Sequence, residues 1–97
     1  MSMTAGNVIR LTLYGRRYCH LCEDMQAALA GLAAEFGFIL DVVDVDGDEA
    51  LEARYGERVP VLAHGETELC HYFLDRPAVS QYLAASARAT ANAAAFR

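Results

Sequence analysis

The sequence contains no lysine, so its eight basic residues are all arginine. Acidic residues outnumber them, the formal net charge is −5, and only Arg16 and Arg17 are adjacent. Surfaces that bind nucleic acid or anionic membranes need clustered basic residues, so we expect neither partner. No apolar run approaches the roughly 20 residues that span a bilayer, and residues 1–8 lack the charged and apolar regions of a secretory signal. We therefore expect a cytoplasmic protein.

Cysteine is also scarce, with three residues in 97. An odd number does not suit a framework of structural disulfides, whereas one redox-active pair and a spare thiol suit a cytosolic protein. Hydrophobic residues make up 55% of the chain, which is enough for one modest core. We predict a single, monomeric domain over residues 1–97, with 88–97 as a frayed or helical tail.

Apolar periodicity predicts the order strand, helix, strand, helix, strand, strand, helix. Strands are predicted where β-branched and apolar residues concentrate, at 8–14, 38–45, 59–63 and 67–72. Helices are predicted between cap and stop signals, at 21–36, 48–55 and 75–87. The first crossover makes a parallel strand pair, and the hairpin adds antiparallel strands. The result is an α/β fold with a four-stranded mixed sheet, helices on both faces and the second strand covered on both sides.

Cys19 and Cys22 lie where the first strand gives way to the first helix. A thiolate is the nucleophile of thiol–disulfide exchange, and a helix N-terminus with a nearby cation lowers a cysteine pKa. Residues three apart are neighbours on a helix surface, so the two sulfurs can close a disulfide. We predict Cys19 as the nucleophile, because it is nearer the helix end, and Cys22 as the resolving thiol. Two partly buried structural cysteines are the alternative.

A second signal is Val59-Pro60-Val61, where a proline opens the third strand. Proline removes a hydrogen-bond donor from a sheet, so it is expected only at special positions in strands. A cis peptide bond before Pro60 is one interpretation, and an ordinary edge-strand proline is the other.

Tyr-Cys-His-Leu-Cys after the first strand, paired with Arg-Val-Pro-Val-Leu before the hairpin, resembles the thioredoxin-fold superfamily, and the small glutaredoxin-like proteins most of all. The resemblance covers about residues 8–85. It implies a thioredoxin-like fold, electron transfer to a protein or low-molecular-weight disulfide, and no bound cofactor, with glutathione as a candidate reductant. It also implies substrate-binding roles for Val59 and Pro60, and for Arg16 and Arg17 at a glutathione carboxylate. Two solvated arginines are the alternative for Arg16 and Arg17.

Two features depart from glutaredoxins. His20 and Leu21 stand between the cysteines where glutaredoxins usually carry Pro-Tyr, so the sequence does not assign an oxidant or a reductant. The Gly-Gly turn before the last helix is replaced by Tyr72-Phe73-Leu74, while Asp75 is retained as a helix cap. Both departures weaken the expectation of a glutathione pocket.

Other chemistries were weighed for the same residues. Cys19, Cys22, Cys70 and His71 are soft ligands for a structural metal, or for an iron–sulfur cluster bridged between two chains. Cys70 and His71 point to opposite faces of a strand, so we predict no metal site and expect Cys70 as a small buried apolar residue. His20 is expected as an exposed imidazole. A non-catalytic thioredoxin-fold binding module remains the alternative function.

Overall fold

A computed structural model describes residues 8–95 of the chain, with side chains described through residue 86. The strands are β1 (Arg10–Gly15), β2 (Ile39–Asp44), β3 (Val61–His64) and β4 (Thr67–His71). The helices are α1 (His20–Phe36), α2 (Glu49–Tyr55) and α3 (Arg76–Ala95). The predicted element order is confirmed. No helix among these residues is long and apolar enough to cross a membrane.

The four strands form one mixed sheet in the order β2-β1-β3-β4. Strand β1 pairs with β2 in parallel and with β3 antiparallel, and β3 and β4 form the antiparallel hairpin. The α/β fold with a four-stranded mixed sheet is therefore confirmed. Because β1 lies inside the sheet, its core-facing side chains Leu11 and Leu13 are almost completely buried.

The main core lies between the sheet and the two long helices. Alternate residues of β1 and Leu62 of β3 face α1 and α3, whose apolar faces cover them. The helix residues that share this cluster and are buried are Met25, Leu29, Leu32, Val79 and Leu83. The apolar spacing that predicted the first helix therefore marks the face that α1 buries.

A smaller cluster lies on the opposite face of the sheet, where α2 packs. Val45, Tyr55 and Val61 form this cluster, and the Tyr55 ring stacks on Tyr14 with ring centroids 4.1 Å apart. Helices therefore lie on both faces of the sheet, as predicted. However, α2 has only seven residues and covers only one end of the sheet face on which it packs.

The prediction that the second strand is covered on both sides is wrong. Strand β2 is an edge strand, and Ile39 and Val42 are 41% and 52% exposed. Near Ile39, the ion pair of Arg10 and Asp41 is itself exposed.

The helix boundaries follow their capping residues. Gly37 ends α1 in the left-handed conformation, with φ of +78°, which glycine adopts at low cost. The carboxylates of Asp48 and Asp75 accept hydrogen bonds from the first turns of α2 and α3. Helix α3 continues past the predicted end at residue 87 to Ala95, so most of the 88–97 tail is helical, while residues 96 and 97 lie outside the described part.

Candidate active site

Four chain segments meet at one end of the sheet. Strand β1 ends there at Gly15, and α1 begins five residues later. Because β3 runs antiparallel to β1, with Val61 opposite Tyr14, the chain enters β3 at this same end. Strand β4 ends beside it, since His71 pairs with Val61. The topology therefore brings the dithiol, the Val59-Pro60 segment and the loop after β4 to the same end of the sheet.

Cys19 is the N-cap residue of α1. Its sulfur accepts a hydrogen bond from the backbone N–H of Cys22 at 3.1 Å, and its carbonyl oxygen accepts from the N–H of Glu23. A helix N-terminus carries unpaired N–H groups and a partial positive charge. The fold therefore places the Cys19 sulfur where negative charge on it is stabilised.

Cys22 lies one turn further along α1 and is 7% exposed. Its sulfur is at disulfide distance from that of Cys19, and the two Cα atoms are 5.2 Å apart. Gly15 lies directly behind it, since a Cβ atom at Gly15 would stand 3.1 Å from the Cys22 sulfur. The pair thus has one partly exposed member, Cys19, and one buried member, Cys22.

The peptide bond between Val59 and Pro60 is cis, as the first interpretation predicted. Pro60 is buried, and its carbonyl oxygen accepts a hydrogen bond from the backbone N–H of Tyr72 at 2.9 Å. The Tyr72 hydroxyl donates to the carbonyl oxygen of Glu57, also at 2.9 Å. Tyr72 therefore holds both ends of the segment that leads into β3, a role that the sequence did not indicate.

Arg16 is engaged within the protein. Its guanidinium donates to Asp46 at 2.7 Å and to the carbonyl oxygen of Gly56 at 2.8 Å, and it lies 3.5 Å from Glu52. These contacts tie the loop after β1 to both ends of α2. A substrate role for Arg16 stays a prediction, and it would require a ligand to compete with two carboxylates.

Arg17 differs from its neighbour. Its side chain is exposed and makes no ion pair within residues 8–86. Together with Tyr18 and Cys22 it lines a cavity of about 300 Å³ between α1 and strands β1 and β2. Of the two arginines that flank the dithiol, Arg17 is the one whose charge is open to a ligand. Its substrate role likewise stays a prediction.

His20 is exposed, as expected, with 87% of its side chain accessible and its ring nitrogen 4.0 Å from Asp24. Cys70 is half-buried rather than buried, and its side chain packs against the main core. Burial raises the pKa of the Cys70 thiol, which keeps it in its less reactive form. Cys70 is therefore a poor nucleophile beside the dithiol.

The four residues considered as metal ligands do not form a ligand group. Within the described part of the chain, no three His, Cys, Asp or Glu side chains are placed to hold a metal ion. His71 is directed to Glu68, whose carboxylate also binds Arg58. Burial raises the pKa of Glu68, but the hydrogen bonds from Arg58 and His71 outweigh it and lower that pKa below its ordinary value.

Sequence reasoning missed the aromatic residues around the dithiol. Tyr18 is 97% exposed and has a left-handed backbone, with φ of +57°. Tyr72 and Phe73 are 41% and 69% exposed, and both line a cavity of about 280 Å³ with Leu21 of α1. The replacement of the Gly-Gly turn by Tyr72-Phe73 is the sequence signal that indicates them.

The family model for the glutaredoxin-like domain (DUF836) matches residues 10–84, which include both cysteines of the pair and Pro60. The chain belongs to the glutaredoxin-like domain family. The resemblance found in the sequence is thereby confirmed. Among curated relatives of this glutaredoxin-like domain, the Mycobacterium tuberculosis protein Rv0508 is 31% identical over 71 residues, or 68% of this chain and 73% of that protein.

Solved structures agree with this assignment. Protein Ne2328 from Nitrosomonas europaea is 45% identical, with a TM-score of 0.70 over 77% of this chain and 91% of that one. Protein XcR50 from X. campestris is 39% identical, with a TM-score of 0.58 over 77% of this chain and 96% of that one. Thioredoxin 1 from Thermosipho africanus is 18% identical, with a TM-score of 0.56 over 80% and 98%. This last match shows the thioredoxin-like fold, as predicted.

Proposed function

We propose that this glutaredoxin-like domain is a thiol–disulfide oxidoreductase that transfers electrons through Cys19 and Cys22. The observation that carries the proposal is a pair of sulfurs at disulfide distance, one capping a helix and the other buried behind it. A disulfide stabilises a fold mainly by restricting the unfolded chain, and this effect is smallest for short loops; here the two cysteines are only three residues apart. The bridge therefore adds little stability, which favours a chemical role over a structural one.

The reaction begins in the reduced protein, where the Cys19 thiolate attacks one sulfur of a substrate disulfide. The substrate S–S bond breaks, a mixed disulfide forms at Cys19, and the leaving sulfur takes a proton. The Cys22 thiolate then attacks the Cys19 sulfur and releases the second substrate thiol. Two electrons pass to the substrate, and the Cys19–Cys22 disulfide remains. The short Cys22-to-Cys19 distance supports the resolving step.

The surroundings of the dithiol fit this cycle. Val59 and Pro60 are proposed to line the substrate groove, since the topology brings them to the end of the sheet where α1 begins. The cycle needs no bound cofactor, and the substrate is a protein or a low-molecular-weight disulfide. A thiol reductant restores the dithiol, for which we propose glutathione, as the family resemblance implies. We place the protein in the cytoplasm, where such reductants keep thiols reduced.

The experiment that tests this proposal traps the mixed disulfide. The variant Cys22→Ser, combined with Cys70→Ser to remove the spare thiol, is reduced and incubated with a small disulfide such as hydroxyethyl disulfide. We expect one stable adduct at Cys19, seen as a mass increase of one thiol unit, because no second cysteine remains to resolve it.

The matched control keeps Cys22 and removes Cys19, in a Cys19→Ser, Cys70→Ser protein. Cys22 is buried, so we expect its adduct to form much more slowly. Equal adduct formation by the two proteins would contradict the assignment of Cys19 as nucleophile. Absence of any adduct in both would leave a non-catalytic binding module.

A further inference from the structure

Exposed aromatic side chains are concentrated at the dithiol end of the molecule. Within residues 8–86, the exposed aromatic side chains of Phe and Tyr are Tyr18, Phe36, Tyr72 and Phe73. Phe36 lies at the far end of α1, whereas the other three lie on the loops that meet at the dithiol. We name Tyr18, Leu21, Tyr72 and Phe73 the aromatic rim. Large exposed apolar groups gathered at one place mark interaction surfaces.

Three members of the aromatic rim, Leu21, Tyr72 and Phe73, have an anchored backbone. The backbone N–H and the hydroxyl of Tyr72 are both bonded, to the carbonyl oxygens of Pro60 and Glu57. Phe73 follows Tyr72 directly, and its N–H donates to the carbonyl oxygen of His71 at 2.7 Å. Leu21 is carried by the first turn of α1, between the two cysteines. A preorganised surface binds a partner at a lower entropic cost.

We propose that the aromatic rim selects an oxidised protein segment as substrate, one that carries a large apolar side chain and an acidic side chain next to its disulfide cysteine. This inference rests on the proposed function, because the covalent step at Cys19 fixes where the segment lies. The apolar side chain packs against Leu21 and Phe73, beside the cavity that they line with Asp24 and Leu74.

Charge complementarity supports the acidic side chain. Arg17 precedes Tyr18, is exposed, and has no ion-pair partner within residues 8–86. Arg16 is already neutralised by Asp46 and Glu52. One open cation thus lies two residues before Cys19, at the cavity between α1 and strands β1 and β2, while Phe73 and Leu21 offer apolar surface at a second cavity. The two features together describe an amphipathic, extended peptide.

The same features disfavour glutathione disulfide as the oxidised substrate. Glutathione has no large apolar side chain to cover Phe73, which is 69% exposed. Its carboxylates need more than one free cation, and Arg16 is held by Asp46 and Gly56. Glutathione can still serve as reductant through the same mixed disulfide in reverse: one molecule attacks the Cys19–Cys22 disulfide and a second releases glutathione disulfide. A high concentration of glutathione then drives a step that the rim does not favour.

In the test, the electrons come from dithiothreitol, which converts the Cys19–Cys22 disulfide to the dithiol and itself becomes oxidised. Its concentration is kept low enough for its direct reaction with the peptides to be slow, and the rate without protein is subtracted. Each substrate peptide carries a cysteine joined by a disulfide to a chromophoric thiol, 2-nitro-5-thiobenzoate. Exchange at Cys19 breaks that bond, and release of the coloured thiol is followed by absorbance. Four peptides differ in the two residues beside the cysteine, which are Phe–Glu, Ser–Glu, Phe–Gln or Ser–Gln. Oxidised glutathione is a fifth substrate, and its reduction to the thiol is measured in parallel.

We expect kcat/KM of the wild type to be about tenfold higher for the Phe–Glu peptide than for the Ser–Gln peptide, since burying part of one ring and pairing one charge supply about that factor. Phe73→Ser and Tyr18→Asn should remove most of the preference for Phe, and Arg17→Ser the preference for Glu. Asparagine tolerates the positive φ of residue 18. Each variant is judged by the ratio of its kcat/KM values for the Phe–Glu and Ser–Gln peptides, so that a general change in the reactivity of Cys19 cancels.

Phe36→Ser is the matched control, because it removes an exposed aromatic ring at the opposite end of α1. It should retain the full preference, and circular dichroism should show all variants folded. Equal wild-type rates with all four peptides, or a higher kcat/KM with oxidised glutathione, would overturn the inference while leaving the proposed function intact. Self-association of the wild type that Phe73→Ser abolishes would overturn it too, since the rim would then serve a second copy. Absence of exchange with every disulfide would instead overturn the proposed function.

Discussion

At the scale of single residues, adjacent arginines have different surroundings. Arg16 spans the loop after β1 and the far end of α2, through Asp46 and the carbonyl oxygen of Gly56. Arg17, the next residue, faces solvent. Their sequence context is nearly the same, so only the fold separates a structural arginine from one that is open to a ligand.

This difference predicts opposite effects of two alanine substitutions. Arg16→Ala should lower the free energy of unfolding by about 1 kcal/mol, because it removes partly buried, charge-assisted hydrogen bonds. Arg17→Ala should leave stability within about 0.5 kcal/mol of the wild type but reduce exchange with acidic peptide disulfides. Urea unfolding and the exchange assay measure the two effects. Unchanged stability in Arg16→Ala, with slower exchange, would instead support its predicted role at a substrate carboxylate.

A second prediction at this scale concerns pH and the carboxylate of Glu68. Arg58 and His71 together lower its pKa in the folded protein, despite partial burial. A group with a lowered folded pKa stabilises the protein above its unfolded pKa, and that contribution disappears as pH falls through the folded value. The stability difference between wild type and Glu68→Gln should therefore be largest above about pH 5 and shrink toward pH 2.

The measurement for this prediction is urea unfolding of both proteins across that pH range. Glu66→Gln is a suitable control, since Glu66 pairs with Arg54 but is 87% exposed. A wild-type advantage over Glu68→Gln that stays constant down to pH 2 would show that the carboxylate charge does not matter.

At the scale of elements, capping and periodicity explain what the sequence could predict. Asp48, Asp75 and Gly37 are local signals, and each marks a helix end that the structure places nearby. The exposure of β2 could not be predicted this way, because Ile39 and Val42 have the apolar character of a buried strand. Their exposure depends on how far the helices on each face reach over the edge strand. Ile39 lies on the face that the seven-residue α2 covers, whereas Val42, opposite Leu13, lies on the face of α1. This reach is a property of the assembled layers.

Two glycines, one inside α1 and one at its C-terminal end, should affect stability in opposite directions when each is replaced by alanine. Gly31 lies in the helix interior, and a Cβ atom there would meet nothing within 4 Å. Gly31→Ala should therefore raise the free energy of unfolding by about 1 kcal/mol through helix propensity. Gly37→Ala, at the left-handed end of the same helix, should lower it by about 1 kcal/mol. Thermal or urea unfolding distinguishes the two, and a destabilised Gly31→Ala protein would contradict the open surroundings of that position.

At the scale of the whole molecule, the site arises from topology. The dithiol motif and the Val59-Pro60 signal were visible in the sequence, and so was the strand–helix–strand order that surrounds the dithiol. The contact of Arg16 with Asp46, 30 residues away, and of Tyr72 with Glu57 could not be predicted, because no local pattern reports them. The first forms only when β1 and β2 end side by side, and the second only when the end of β4 lies beside the segment that enters β3.

The most direct test of the central claim is a thiol count of the folded protein in buffers of defined reduced-to-oxidised glutathione ratio. The account predicts one free thiol per molecule, Cys70, under oxidising conditions, and three under reducing conditions. The transition should be a single, fully reversible two-electron step, with circular dichroism unchanged. A count that stays at one until the protein unfolds, or that does not return to one on reoxidation, would contradict a redox-active Cys19–Cys22 pair.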